Sequence, residues 1–378
     1  MDAFYEKLIK IRQHIHQYPE LSGQEFETTR FLRQHLEKLD ITILDSGLKT
    51  GLIAELGSGK PVIALRADID ALPIVEKTGL DYASQNPGVM HACGHDFHQT
   101  SLLGAAELLK QRESELQGTV RLIFQPAEEI AQGAADVLAT GLLDDVEAII
   151  GFHNWPQLKA GQLALKPGPM MAGVEKFRVS VEGVSSHAAR PDLGVDTVYT
   201  ITSIVQNLQQ IVARTVSPFE PTVLSITHIE VGSTWNVLPQ SGFFEGTIRC
   251  FNPELQERIK EDFVRIIQHT AANSGAQVDI CFERSHAVTT NHAELTQLVW
   301  ETSQDLAEVL EAQPSTAGED FATYQQQIPG VFAFIGSNGA KNAPDLHFDT
   351  MTIDDQAFQV AVPYYVENAF ALLAHLRR

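Results

Sequence analysis

Residues 62–70, VIALRADID, open as an apolar strand and end in charge: Val62-Ile63-Ala64-Leu65 runs into Arg66-Ala67-Asp68-Ile69-Asp70. Two later runs have the same build. TVRLIF (119–124) stops at Gln125-Pro126-Ala127-Glu128-Glu129, and EAIIGF (147–152) stops at His153-Asn154-Trp155-Pro156. Helical patterns such as SLLGAAELLKQ (101–111) separate the runs, and that alternation predicts a parallel sheet covered by helices. Ligands bind beyond the carboxyl ends of strands in open α/β sheets, so these three polar endings are expected to converge.

The grammar changes between about Val174 and His286. KFRVSVEG reads as a strand, TVYTITSIVQNLQQIVAR as a helix, TVLSITHIEVG and SGFFEGTIRCF as a strand pair, ELQERIKEDFVRIIQHTAAN as a helix and QVDICFER as a last strand. The order β-α-β-β-α-β is that of the ferredoxin-like unit. The α/β grammar then resumes with PGVFAFIG (329–336) and a closing helix, QAFQVAVPYYVENAFALLAHL. The expected fold class is therefore α/β: a mainly parallel α/β/α catalytic domain, residues 1–173 and 287–378, with an inserted ferredoxin-like α+β domain at 174–286. The Pro-Gly-Pro of LKPGPMMAG offers a first hinge.

Composition narrows the function classes. Forty-eight acidic against 27 basic side chains leave a net charge of -21, which opposes attraction to nucleic-acid phosphates or anionic lipid. No nucleic-acid partner is expected. MDAFYEKLIKIRQHIHQYPE puts Phe4, Leu8, Ile11 and Ile15 on one face of a charged helix and has no apolar signal core. With no apolar run of about 18 residues, no membrane span is expected. The three cysteines, Cys93, Cys250 and Cys281, are too few for a disulfide framework and fit a reducing cytoplasm. Cys250 and Cys281 stand in apolar, strand-like runs and read as core residues, whereas Cys93 stands in polar company.

That company is MHACGHDFH (90–98), with three histidines, a cysteine and an aspartate in nine residues. Cys93 and His95 are close enough for one loop to aim both at one ion, though a lone C-x-H is weak by itself. Glu128 and Glu129 are adjacent acids at a strand end and point different ways, so one can bind a metal while the other faces substrate; a solvated acidic turn is the plainer alternative. His153 and His347 are each as readily surface or hydrogen-bonded histidines. Together, one thiolate, three imidazoles and one or two carboxylates satisfy one or two divalent ions, zinc or manganese. A divalent ion lowers the pKa of a water it holds from about 16 towards about 7, and a nearby glutamate can take the proton and pass it to a leaving group. H-E-x-x-H, G-x-x-x-x-G-K-[ST], G-x-S-x-G and P-C-x-x-C are all absent from the sequence.

MHACGHDFH, RADIDALP (66–73), FQPAEE (124–129), GFHNWP (151–156), SSHAARP (185–191), NVLP (236–239), EGTIR (245–249) and GEDFA (318–322) together resemble the M20 metallopeptidase family, in its aminoacylase and hippurate-hydrolase-like branch. The resemblance implies that Cys93, His95, Glu129, His153 and His347 bind the metals, with Cys93 as a bridge. It implies that Glu128 is general base and then acid, and that Asp68 fixes a ligand's orientation. His187 resembles the family histidine that donates to the carbonyl oxygen, and Asn236 and Arg249 resemble the substrate-binding pair, taken in isolation a loop, a turn and a strand salt bridge. The implied reaction is hydrolysis of a small N-acyl amino acid to a carboxylate and a free amino acid, by a homodimer joined through the inserted domain. A dipeptidase or carboxypeptidase would use the same centre, and a non-catalytic metal-binding protein would share its ligands. Three departures from the family pattern stand out: Phe97 and Ile130-Ala131-Gln132-Gly133, expected to reshape an acyl pocket, and Phe348 after His347.

Overall fold

A computed structural model describes residues 3–377. The chain divides into two compact units, the first running through Met170 and taking up Thr289–Gln313 and the chain from Asp320, the second comprising Met171–Val288 and Pro314–Glu319.

The first unit opens with helices α1 (Ala3–Gln17) and α2 (Phe26–Lys38) and strands β1 (Thr42–Ile43), β2 (Leu52–Gly57) and β3 (Val62–Asp68). Helix α3 (His95–Gln111), β4 (Thr119–Gln125), α4 (Gly133–Ala139), β5 (Ala148–Lys159) and β6 (Gln162–Leu165) follow, and β7 (Gly168–Met171) ends at the boundary. In the second unit come β8 (Gly173–Glu182), β9 (Ser186–His187), α5 (Thr197–Leu208), β10 (Thr222–Val231), β11 (Val237–Leu238), β12 (Ser241–Cys250), α6 (Pro253–Ser274) and β13 (Gln277–His286). The first unit resumes with β14 (Thr289–Asn291), α7 (Ala293–Ser303), β15 (Glu308–Glu311), α8 (Phe321–Gln325), β16 (Gly330–Asn338) and α9 (Phe358–Leu376).

Among the described residues of the first unit, eight strands form one sheet in the order β1-β2-β4-β3-β5-β16-β6-β15. Its centre, β4-β3-β5-β16, is parallel, with antiparallel pairing at β1/β2, β2/β4 and β16/β6. All seven positions of β3 and of β4 are buried, as expected of strands covered on both faces. Ile63, Leu65 and Ala67 join one core with Leu102 and Leu109 of α3 and Val362 and Leu373 of α9. On the other face Phe321 of α8 packs on Phe332, ring centroids 4.8 Å apart. Because β4, β3 and β5 run parallel, their carboxyl ends share one edge, with Asp68 opposite Gln125.

The second unit builds a four-stranded antiparallel sheet, β10-β12-β8-β13, with α5 and α6 on one face. Phe177, Val179 and Val181 alternate into that core beside Ile201, Ile204, Phe263 and Ile267. The helix expected through Arg214 ends at Leu208 and gives way to a π-turn at Ile211–Thr215. Cys281 corrects the expectation of a core residue: Val278, Ile280 and Phe282 pack inward, so strand alternation turns Cys281 to the exposed face, while Cys250 is buried. No described helix is long and apolar enough to cross a membrane.

Candidate metal centre

The sheet edge gathers the donors of the first unit. Gly94 precedes α3 in a left-handed conformation, φ 88°, where a Cβ would come within 2.3 Å of Asn154 Oδ1. Glycine there lets Cys93 approach β5 and puts His95 in the first turn of α3. Cys93 Sγ lies 3.4 Å from His153 Nε2, and His153 Nδ1 donates to the Asn154 carbonyl at 2.8 Å, which aims the Nε2 lone pair at the thiol. His153 sits inside β5 rather than after it, since the strand continues to Lys159.

His95 is held from behind. Its Nδ1 donates to Asp70 Oδ1 at 3.2 Å, while buried Nε2 has no hydrogen-bond partner and stands 3.6 Å from Asp68 Oδ2 and 3.9 Å from Glu129 Oε1. His347 is left-handed, φ 65°, held by its N–H on the Ala92 carbonyl, and its Nε2 reaches 3.5 Å from Glu129 Oε2. Glu128 and Glu129 occupy a short 3-10 turn between Ala127 and Ala131, both left-handed at φ 55° and 57°, a conformation costing an L-residue about 1–2 kcal/mol. Candidate donor atoms fall into overlapping groups: Cys93, His95 and His153; Cys93, Glu129 and His347; His95, Glu128 and Glu129; Asp68, His95 and His98.

The donor chemistry fits a divalent cation. Burial raises Glu129 to about 7 against the pull of His95, with Asp70 adding to the rise. Burial, then Glu129 and Glu128, pushes the Cys93 thiol well up. Burial lowers His95, but Asp68, Asp70 and Glu129 outweigh it and carry the ring to about 10. A dication among these groups offsets their mutual repulsion and takes the thiol as thiolate and the imidazoles as neutral ligands. Burial and neighbouring His98 already hold His153 well below its usual range, ready as a neutral donor.

Asp68 and Asp70 divide the labour differently from the sequence reading. Asp68 accepts from His98 Nδ1 at 2.6 Å and from Arg66 Nη1 at 2.8 Å, while Asp70 is the carboxylate on His95 Nδ1. Asp70 was missed because both aspartates lie in RADIDALP and their spacing does not distinguish them. His98, also missed as a site residue, bridges Asp68 to β5, its Nε2 accepting from Asn154 N at 2.9 Å. Asp70→Asn is expected to weaken metal binding by about 10- to 100-fold, because an amide can present N–H to His95 and set the wrong tautomer; calorimetric titration of manganese into metal-stripped protein checks it.

Under this layer Arg66 is fully buried and donates to Asp68, Gln125 and Asp320, each at 2.8 Å. A second buried network stands behind α3. Asp96 Oδ2 accepts from Arg12 Nε at 3.2 Å and His16 Nδ1 at 2.9 Å, and His16 Nε2 lies 3.3 Å from Glu76. Burial opposes the charge on His16, but Asp96 and Glu76 prevail and raise it to about 9. From an ordinary value of about 6.5 this stabilisation is whole below pH 6.5 and is lost as pH rises through 9, amounting to about 3 kcal/mol at most. His16→Gln should therefore cost more stability at pH 6 than at pH 9.5 in urea unfolding. Phe97 does not enter the site: it is fully buried against Phe358 and Phe152, centroids 4.8 and 5.8 Å away, because its place on α3 faces the core. Phe348 is exposed.

The other expected residues belong to the second unit. His187 in β9 pairs with Val237 in β11, and Ala188 N donates to the Asn236 carbonyl at 3.0 Å, so His187 and Asn236 are neighbours. Ala189 N donates to His187 Nδ1 at 3.0 Å, which leaves the proton on Nε2 as a donor. Arg249 lies on β12 opposite Val174 and Val223, and its Nη1 donates to the Thr316 carbonyl at 2.5 Å.

A buried thiol, imidazole and carboxylate set at the carboxyl edge of a parallel sheet, with a further glutamate beside it, makes this a hydrolytic metal centre on an α/β scaffold. The chain belongs to peptidase family M20/M25/M40, whose pattern it matches over residues 64–368. It is 44% identical over 376 residues to an N-acetyl-L-cysteine deacetylase of Bacillus subtilis, covering 99% of this chain and 90% of that one. It is 38% identical over 349 residues to the IAA-amino acid hydrolase ILR1-like 4 of Arabidopsis thaliana, covering 90% and 79%. The crystal structure of the Bacillus subtilis YXEP protein, described as a dinuclear metal binding peptidase from the M20 family, superposes with a TM-score of 0.86 at 41% identity over 99% of both chains.

Proposed function

We propose that this protein is a metal-dependent amidohydrolase that cleaves N-acyl amino acids to a carboxylate and a free amino acid. The observation that carries the reading is Glu128, which is buried beside His95 and Glu129 although Cys93, His95, Glu129, His153 and His347 already offer enough donors to hold a divalent ion. A purely structural ion has no use for such a glutamate. The deacetylase and the plant amino acid hydrolase among its relatives support the substrate class.

Zinc or manganese suits the mixed thiolate, imidazole and carboxylate donors, and when bound it supplies Lewis acidity to the acyl carbonyl and to water. Glu128 takes a proton from the water as its oxygen adds to the acyl carbon and the carbonyl pair moves onto oxygen, then returns the proton to the amide nitrogen, so that the C–N bond breaks as the carbonyl re-forms. Asp70 holds His95 by its far nitrogen, and Asp68 and His98 support the centre from below. His187 donates to the developing oxyanion, while Asn236 and Arg249 bind the amino acid, the guanidinium fork matching its carboxylate.

Residues 1–173 and 287–378, apart from the Pro314–Glu319 segment that clusters with the second unit, would form the catalytic domain and 174–286 a lid and dimerisation domain. Support for a homodimer comes from edge strand β10, with Val223 and Ile229 exposed, and from exposed Tyr199 and Phe219. Light scattering should give twice the 41.6 kDa of one chain. The three free cysteines support a cytoplasmic location.

Amine release from N-acetyl, N-benzoyl and dipeptide substrates, with manganese or zinc supplied, tests the reaction. Release from N-acyl amino acids ahead of dipeptides is the expected result. Preference for dipeptides would make the protein a peptidase, and silence with metal bound would overturn the hydrolase reading.

A further inference from the structure

The loop between α1 and α2, residues 18–25 (YPELSGQE), lies outside the family match at 64–368, yet it reaches the ends of both β3 and β4. Leu21 bridges Ala71 in parallel and Ala71 N donates to the Glu20 carbonyl at 2.8 Å, which seats the loop beside the RADIDALP segment. Ser22 Oγ then donates to Asp70 Oδ2 at 2.7 Å, on the carboxylate whose other oxygen holds His95. The same Asp70 Oδ2 accepts from Glu129 N at 3.0 Å.

Glu25, at the far end of the loop, is fully buried. A carboxylate out of water needs compensating donors, and Glu25 Oε1 takes them from Gly23 N and Ala127 N, each at 2.9 Å. Ala127 is the left-handed residue immediately before Glu128 and Glu129. Its N–H is thus satisfied only while the paired-acid turn keeps its present shape against the loop.

We propose that residues 18–25 brace the metal centre, Glu25 acting as a positioning residue that fixes the paired-acid turn through the Ala127 N–H and Ser22 as its counterpart on Asp70. The inference rests on the roles given above to Glu128 and Glu129. Neither Glu25 nor Ser22 touches the reacting atoms; each acts through a group that does. A buried glutamate serving stability alone would leave metal affinity and the turnover of the folded protein unchanged, and that separates the two roles.

The test compares Glu25→Met, which keeps volume but removes the acceptor, with Glu25→Gln, which keeps an acceptor oxygen and removes the charge. Manganese is titrated calorimetrically into the metal-stripped full chain, and kcat and KM are measured at saturating manganese. Glu25→Met should bind manganese about 10- to 100-fold more weakly and lose at least about tenfold in kcat, with KM within about threefold, while Glu25→Gln stays within about threefold of the parent in all three. A folded Glu25→Met protein with the parent's manganese affinity overturns the proposal. So does a Glu25→Gln protein as impaired as Glu25→Met, since charge would then be what matters.

If Glu25→Met does not fold, Glu25→Gln and Ser22→Ala decide: the first should bind manganese as the parent does and the second about tenfold more weakly. An impaired Glu25→Gln or an unimpaired Ser22→Ala overturns the brace. Manganese affinity is read without turnover, so a parent protein inactive on every substrate would refute the proposed reaction and leave this comparison standing.

Discussion

Glu128→Gln is expected to lower kcat by about a thousandfold or more while leaving metal content and fold intact, in line with the 10²- to 10⁴-fold that general acid–base catalysis supplies. The substitution is nearly isosteric, and the amide oxygen can still accept from Asp320 N, which lies 3.4 Å from Glu128 Oε1. It removes only the ability to take a proton from water and to return it to nitrogen. Metal analysis beside steady-state kinetics checks both halves: retained metal with lost turnover supports the general base, and turnover within about tenfold of the parent assigns the proton transfer to another group. KM should change little, because the loss falls on the transition state.

Arg66→Met should destabilise the protein by about 3–5 kcal/mol, the usual consequence of removing one partner from a buried ion network. Asp68 and Asp320 would keep their charge in the interior without the guanidinium, and Gln125 Oε1 would keep only the Tyr324 hydroxyl of its two donors. Arg66→Lys should recover only part of the loss, since one ammonium cannot reproduce three separately directed hydrogen bonds. Urea unfolding of metal-stripped protein is the measurement, with a fall in midpoint on the order of 1 M, since the slope of a chain this long is at least about 3 kcal/mol per M. An unchanged midpoint would show that Asp68 and Asp320 find compensation elsewhere. Tyr365, whose hydroxyl donates to the Arg66 carbonyl at 2.5 Å, ties the same strand to α9 and should limit collapse around the shortened side chain.

The sequence made the central strands legible because VIAL, TVRLIF and EAIIGF carry a continuous apolar signal between helical patterns. It did not make β1, β6 or β15 legible, as two to four residues hold too little periodicity. In the centre itself, histidines, cysteine and paired acids stood out by type and by their resemblance to a known family. Their supporting groups did not. Arg12 and His16 look in sequence like the solvated side of an amphipathic helix; they are buried because their counter-charges Asp96, Asp355 and Glu76 arrive from 60 to 343 residues away. Phe97, beside the ligands in sequence, points into the core because α3 turns it about 100° from each neighbour. Pro314–Glu319 likewise gives no sign in sequence of joining the second unit.

The position of β16 also governs the order in which the protein can be completed on the ribosome. Residues 330–338 insert between β5 and β6, which are made far earlier, as residues 148–159 and 162–165. At about 5–20 residues per second, on the order of ten to thirty seconds pass between the emergence of β6 and that of β16. Through that interval β5 has an open edge of apolar backbone, and Arg66 waits for Asp320. The nascent chain therefore carries a nearly finished half-sheet that only its last quarter can close, and a chaperone that shields strand edges would find its longest opportunity there.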